Sequence, residues 1–168
     1  MRPNLSGLTS IYLHPGEACF SSNPVIVNTV LGSCLSITMF SAKIKYAGMS
    51  HCQLPYSKQC NLKCDDCKEP YKFVKCTIIQ MVKKFEEMQI QRKDIEVKVF
   101  GGADVLKTTL TEKRISTVGR QNIDTALETL ANLKMDIKAS DVGGRFGRKI
   151  HFFTATGEIF LNRLKNNG

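Results

Sequence analysis

What this chain lacks narrows its function before any motif is considered. No stretch approaches the roughly 20 uninterrupted apolar residues that carry a helix across a bilayer, so membrane insertion is not expected. The start, MRPNLSGLTS, has no apolar segment and no small-residue cleavage site; no secretory signal is read there, and a cytoplasmic location is the default expectation. No run of five or more basic residues gathers the positive charge, and neither an RNA-binding aromatic signature nor a zinc-finger Cys/His pattern is present, so nucleic acid is not an expected partner.

Charge is nonetheless unbalanced. Lys and Arg number 24 against 15 Asp and Glu, a net +9 that favours an acidic surface at long range or else forms a solvated face. The chain's 168 residues suit one domain, 1–168, able to bury about two-thirds of its unfolded surface. Its seven cysteines are expected as reduced thiols, since a cytoplasmic chain rarely keeps disulfides and an odd number cannot pair completely. Cys52, Cys60, Cys64, Cys67 and Cys76 crowd into one window, and Cys34 stands apart from it.

Between about Ile11 and Phe40, short apolar runs alternate with Gly, Pro, Ser and Asn, the pattern of successive strands; in CLSITMF, Leu35, Ile37 and Met39 would share a face. IKYAGMSH reads as another strand, followed by a polar, cysteine-rich loop at about 52–70. From Tyr71 to Met88 the period changes to three and four, with Val74, Ile78, Met81, Val82 and Phe85 forming a helical stripe and Pro70 near the first turn. IEVKVF is a strand that runs into Gly101 and Gly102. A second helix is predicted over Gly119 to Leu133, with stripe Ile123, Ala126, Leu127, Leu130 and Leu133. MDIKASDVGG, RKIHFFTAT and EIFLNRL close the chain as strands, the last two as a hairpin around Gly157. Mixed strands with two main helices imply an α/β or α+β sandwich.

A cysteine becomes a strong nucleophile when an imidazole takes its proton and a third polar group orients that imidazole. Cys34 follows Leu31, Gly32 and Ser33, a turn whose amides can face a developing oxyanion, and His51 ends the next predicted strand. The same residues also suit a small core thiol and a structural histidine.

The local sequences VNTVLGSCLSITMF, GMSHCQLP, VKVFGGADVL, VGRQNIDTALETL and SDVGGRFGRKIHFFTATGEI, taken in order from about Tyr12 to Leu164, resemble the CheD family of chemoreceptor glutamine deamidases. LGSC followed by GM-x-H-x-x-LP is the specific part of that match. The resemblance implies a layered α/β/β fold and hydrolysis of receptor glutamine side chains to glutamate with release of ammonia. It assigns Cys34 as nucleophile and His51 as base, with no metal or organic cofactor. It carries over a threonine as Thr29, with Asn28 the alternative one residue away, whose side chain would face the other way on a strand. Chemoreceptors are the implied partners, together with a CheC-type phosphatase. A non-catalytic adaptor docking on receptors or on that phosphatase is the rival, and a cysteine peptidase or transglutaminase-like enzyme shares the same nucleophile. Gly101, Gly102 and the 141–148 stretch either shape the pocket or only make turns.

Cys60-x3-Cys64-x2-Cys67, joined by Cys52 or another ligand, supplies enough thiolates for a structural zinc that would hold the long loop shut. The alternative is reduced surface thiols, with Cys76 in the apolar face of the following helix.

Overall fold

The computed structural model describes residues 6–61, 63–105 and 116–165. Strands β1 (Thr9–Tyr12), β3 (Val25–Leu31), β8 (Arg148–Phe153) and β9 (Glu158–Arg163) make one sheet in the order β1-β3-β8-β9. Strands β2 (Ala18–Ser21), β5 (Tyr46–Ser50), β4 (Leu35–Ser41), β6 (Glu96–Gly101) and β7 (Ile137–Val142) make the other, in the order β2-β5-β4-β6-β7. Most pairings are antiparallel, but β1 with β3 and β6 with β7 run parallel.

Every residue of β4 is buried because both of its faces are covered. Alternation sends Leu35, Ile37 and Met39 to one side, where they pack with Ile78, Met81, Phe85, Ile123 and Leu130 from helices α1 (Val74–Glu87) and α2 (Val118–Asn132). Phe40 points the other way, into a second core between the sheets with Val27, Leu31, Met49, Phe100, Ile150 and Phe152. Two helices, the five-stranded sheet and the four-stranded sheet therefore stack as the layered α/β/β sandwich expected from the family resemblance.

Several local expectations acquire a cause. The helical stripe begins at Val74, after Pro70 has opened a separate 3-10 turn at Pro70–Lys72. Thr117 caps α2 by accepting the Arg120 amide at 3.2 Å. Leu127 is a correction: it is 47% exposed, because the buried face of α2 runs through Asn122, Ile123, Ala126 and Leu130. The terminal hairpin forms as expected, Arg148 facing Arg163 and Phe153 facing Glu158.

Candidate active site

The site lies at the end of the inter-sheet core, where three loops meet. Leu35 and Cys52 form a bridge of two backbone bonds, Leu35 N to Cys52 O at 2.9 Å and Cys52 N to Leu35 O at 2.7 Å, which prolongs the antiparallel β4–β5 ladder. In that register Ser36 faces His51, and one step further Cys34 faces Gln53. Cys34 and His51 are therefore diagonal neighbours on one face, a relation that sets Cα atoms about 7–8 Å apart with the side chains closer. That face is the inter-sheet one: half-buried Cys34 packs against the core there, and His51 reaches the opposite sheet. No hydrogen bond joins the Cys34 sulfur to the His51 ring among the described residues; catalytic pairs are often loose before substrate arrives.

From the opposite sheet, Thr29 points inward and its Oγ1 lies 2.8 Å from His51 Nδ1. The same hydroxyl donates its single proton to the Leu13 carbonyl at 2.7 Å. With that proton committed, Oγ1 can only accept from the ring, so Nδ1 carries hydrogen and Nε2 keeps its lone pair. Asn28 faces away and donates its amide to Ser10 Oγ at 2.9 Å and the Ile11 carbonyl at 3.2 Å, well separated from His51. The main chain of His51 is fixed as well, its amide donating to Glu17 O and its carbonyl accepting from the Gly16 amide.

Burial sets the electrostatics. It pushes the Cys34 thiol above its ordinary range, and the residue's own amide pulls it partly back. Burial also lowers His51, while the Leu13 carbonyl and Glu17 oppose this and His14 adds to it. Burial thus favours the uncharged form of each group, the thiol of Cys34 and the neutral imidazole of His51.

The turn that leads into Cys34 is held by its carbonyls. Gly32 O accepts from the Ala103 amide at 2.9 Å, and Cys34 O from the Gly102 amide at 2.8 Å. Gly101 makes this approach possible: at φ +106° it adopts a conformation closed to most side chains, and a Cβ there would stand 2.3 Å from Cys34 O. Ser33 O accepts from Asn122 Nδ2 at 3.0 Å, and the same nitrogen donates to Gln53 O at 3.1 Å. Asn122 thus ties the Cys34 turn to the segment after His51, while its buried Oδ1 has no hydrogen-bond partner among the described residues. Its signal in the sequence is a polar residue on the helix's apolar face, four before Ala126.

The glycine pair therefore shapes the site's wall. The stretch at 141–148 is held independently: Arg148, nearly buried, grips Asp141 at 2.7 Å and the Gly143 carbonyl at 2.7 Å, and Arg163 takes the second Asp141 oxygen. Beside the Cys34 turn lies a cavity of about 270 Å³ lined by Ser33, Ala103, Asp104, Val105, Val118 and Gly119.

The cysteine-rich loop is elsewhere. Cys60, Cys64 and Cys76 bring their sulfurs within 4.8 Å of one another, with Cys76 supplied by α1. Cys52 takes no part, because it lies on the helix-facing side of the sheet and donates to Thr77 Oγ1 at 3.3 Å. Complete burial raises that thiol to about 11.

Residues 53–163 match the family model described as CheD chemotactic sensory transduction. The probable chemoreceptor glutamine deamidase CheD 2 of Geobacter sulfurreducens is 40% identical over 94% of this chain and 91% of its own length. The probable chemoreceptor glutamine deamidase CheD of Oleidesulfovibrio alaskensis is 36% identical, covering 95% of this chain and 75% of its own. That of Maridesulfovibrio salexigens is 33% identical over 99% of each. These relatives extend across both Cys34 and His51, which the family model's match does not reach. With a matching model over more than half of its length and relatives at this level over nearly all of it, the chain belongs to the CheD family.

Proposed function

We propose that this chain hydrolyses the side-chain amide of chemoreceptor glutamines to the carboxylate, using Cys34 as nucleophile, His51 as base and Thr29 to hold the imidazole. The observation that carries this reading is the Thr29 hydroxyl, which spends its proton on Leu13 and so leaves His51 Nε2 free to act on the face where Cys34 lies. Cys34 loses its proton to His51 as its sulfur bonds to the amide carbon. The tetrahedral oxyanion then collapses, the C–N bond breaks, and His51 returns the proton to departing ammonia. In the second half His51 takes a proton from water, the resulting hydroxide displaces the thioester sulfur, and the thiol is restored with glutamate released. The Cys34 amide and a second main-chain amide of the turn would serve as oxyanion donors.

Receptor signalling in the cytoplasm is the setting of this reading; among the described residues no helix is long and apolar enough to cross a membrane. A CheC-type phosphatase as a second partner rests on the family resemblance alone. The test is incubation of purified protein with a receptor cytoplasmic fragment, followed by ammonia assay and peptide mass spectrometry, where each converted glutamine gains about one dalton. Stoichiometric receptor binding with no ammonia and no mass change would transfer the protein to the adaptor class.

A further inference from the structure

Outside the active site, the densest chemistry is the thiol cluster where the 52–70 loop meets α1. The Cys76 sulfur lies 3.5 Å from that of Cys60 and 2.6 Å from that of Cys64. Cys67 belongs to the same loop and stands outside this trio, the next thiol that a small loop adjustment could bring in as a fourth ligand. Three sulfurs, two from the loop and one from α1, therefore converge around one space, and Cys64 and Cys76 are buried there. A tetrahedral zinc with Zn–S bonds of about 2.3 Å needs sulfurs about 3.8 Å apart, close to the Cys60–Cys76 spacing. Cys64 and Cys76 sit closer than two unbonded thiols tolerate, yet further apart than the about 2.0 Å of a disulfide.

We propose that Cys60, Cys64, Cys67 and Cys76 bind one zinc ion as a tetrathiolate that staples the 55–69 loop to α1. The surrounding bonds prepare the site. Cys64 is held at φ +56°, its amide donating to Asn61 O and its carbonyl accepting from Gln80 on α1 at 3.1 Å. Asp65 pairs with Lys83 of α1. Asp66 is the competing fourth donor, 3.7 Å from the Cys60 sulfur, but the same carboxylate oxygen already accepts the Asn61 amide. The set is soft and all-sulfur, which selects zinc over magnesium or calcium, and four protein ligands leave no open position, so the ion is structural. Binding sends the four thiol protons to solvent as the thiolates form. The loop so fixed begins just after His51, yet the metal takes no part in amide hydrolysis.

The full-length protein, purified reduced and without oxygen, is to be loaded with zinc, desalted and analysed for metal, then exchanged with cobalt for absorption spectroscopy. One zinc per chain is expected, along with the intense visible bands and thiolate charge-transfer absorption of a tetrahedral cobalt tetrathiolate. Cys60→Ser and Cys67→Ser, the partly exposed members and so the variants safest for folding, should weaken zinc at least about a hundredfold in chelator competition. Asp66→Asn and Cys52→Ser should bind as the parent does. Less than a tenth of an equivalent of zinc after loading overturns the proposal, as does a stoichiometric metal of another kind. So does parent-like affinity in Cys67→Ser. A Cys64–Cys76 disulfide, seen as loss of two hydrogens in the intact mass of the anaerobic protein, would replace the metal with a covalent staple.

Discussion

Cys34 and Cys52 lie one ladder step apart, close enough for the charge of one to act on the other, yet sit in opposite surroundings. The difference is the face each occupies. Cys52 points to the helices, wholly buried, giving its proton to Thr77 with Ser50 beside it, and its thiol is raised to about 11; it is an inert core group. Cys34 points between the sheets at their open end, half-buried, on the side where Thr29 holds a neutral His51. One residue of register along a strand separates a thiol wholly buried against the helices from one half-buried between the sheets.

The sharpest break of that comparison is Cys34→Ser. A serine hydroxyl stays protonated at neutral pH and is a far poorer nucleophile beside the same imidazole, so deamidation should fall by at least about a thousandfold. The site is partly open and the change small, so the melting temperature and receptor binding should move little. Ammonia release, with calorimetry and pull-down alongside, measures these separately; undiminished turnover would remove Cys34 from the mechanism.

Next in size is the tautomer lock. Thr29→Val keeps the shape but removes both the acceptor for Nδ1–H and the donor to Leu13, so kcat should drop by about a hundredfold, within the range of a general base deprived of its orientation. Thr29→Ser should restore most of it, and Asn28→Ala, which changes the opposite face, should leave kcat within about twofold. Equal losses in Thr29→Val and Asn28→Ala would mean that sheet stability, not imidazole orientation, is what both disturb.

Acid should act on the same group. Because burial lowers the folded pKa of His51 below its ordinary 6.5, its contribution to stability is complete above that value and is lost as pH falls through the depressed folded one. Turnover should follow, since the imidazolium cannot take the Cys34 proton, with the acid limb of kcat/KM below the ordinary histidine range. An acid limb at or above pH 6.5 in the free enzyme would contradict a desolvated base.

How much of this was legible in the sequence depends on what a local pattern can carry. Alternation in CLSITMF put Leu35, Ile37 and Met39 on one face and thereby Cys34 on the other, and the period change at Val74 marked α1 with its stripe. The family resemblance carried over Thr29 with Asn28 as the one-residue alternative; the contact of Thr29 with His51 and its bond to Leu13 are tertiary and invisible in a local pattern. Leu127 was assigned to the apolar face of α2, although the helix turns Asn122 inward to hold the Ser33 and Gln53 carbonyls. Cys76 looked like either a core thiol or a spare ligand; the loop's path back over α1, invisible in spacing, brings it to Cys60 and Cys64.

Asn122 gives the finest test, because it supports the site without touching the reacting atoms. Its Nδ2 serves two carbonyls, one in the nucleophile turn and one beyond His51, so Asn122→Ala strands both acceptors at a cost of about 1–3 kcal/mol of unfolding free energy. The loss is tempered because the variant also removes the buried Oδ1, which has no hydrogen-bond partner among the described residues. Asn122→Asp is the more discriminating change: nearly isosteric, it replaces the donor by an oxygen facing two carbonyl oxygens, so it should destabilise at least as much as alanine despite filling the space. Cys52→Ala, on the inert face of the same ladder, should cost only about 1 kcal/mol and leave turnover intact. Denaturant unfolding with parallel kcat measurements orders the three. If Asn122→Asp were as stable and active as the parent, the two carbonyl contacts would not be what holds the turn against His51's strand, and the orphaned oxygen, hydrated, would be the group that matters there.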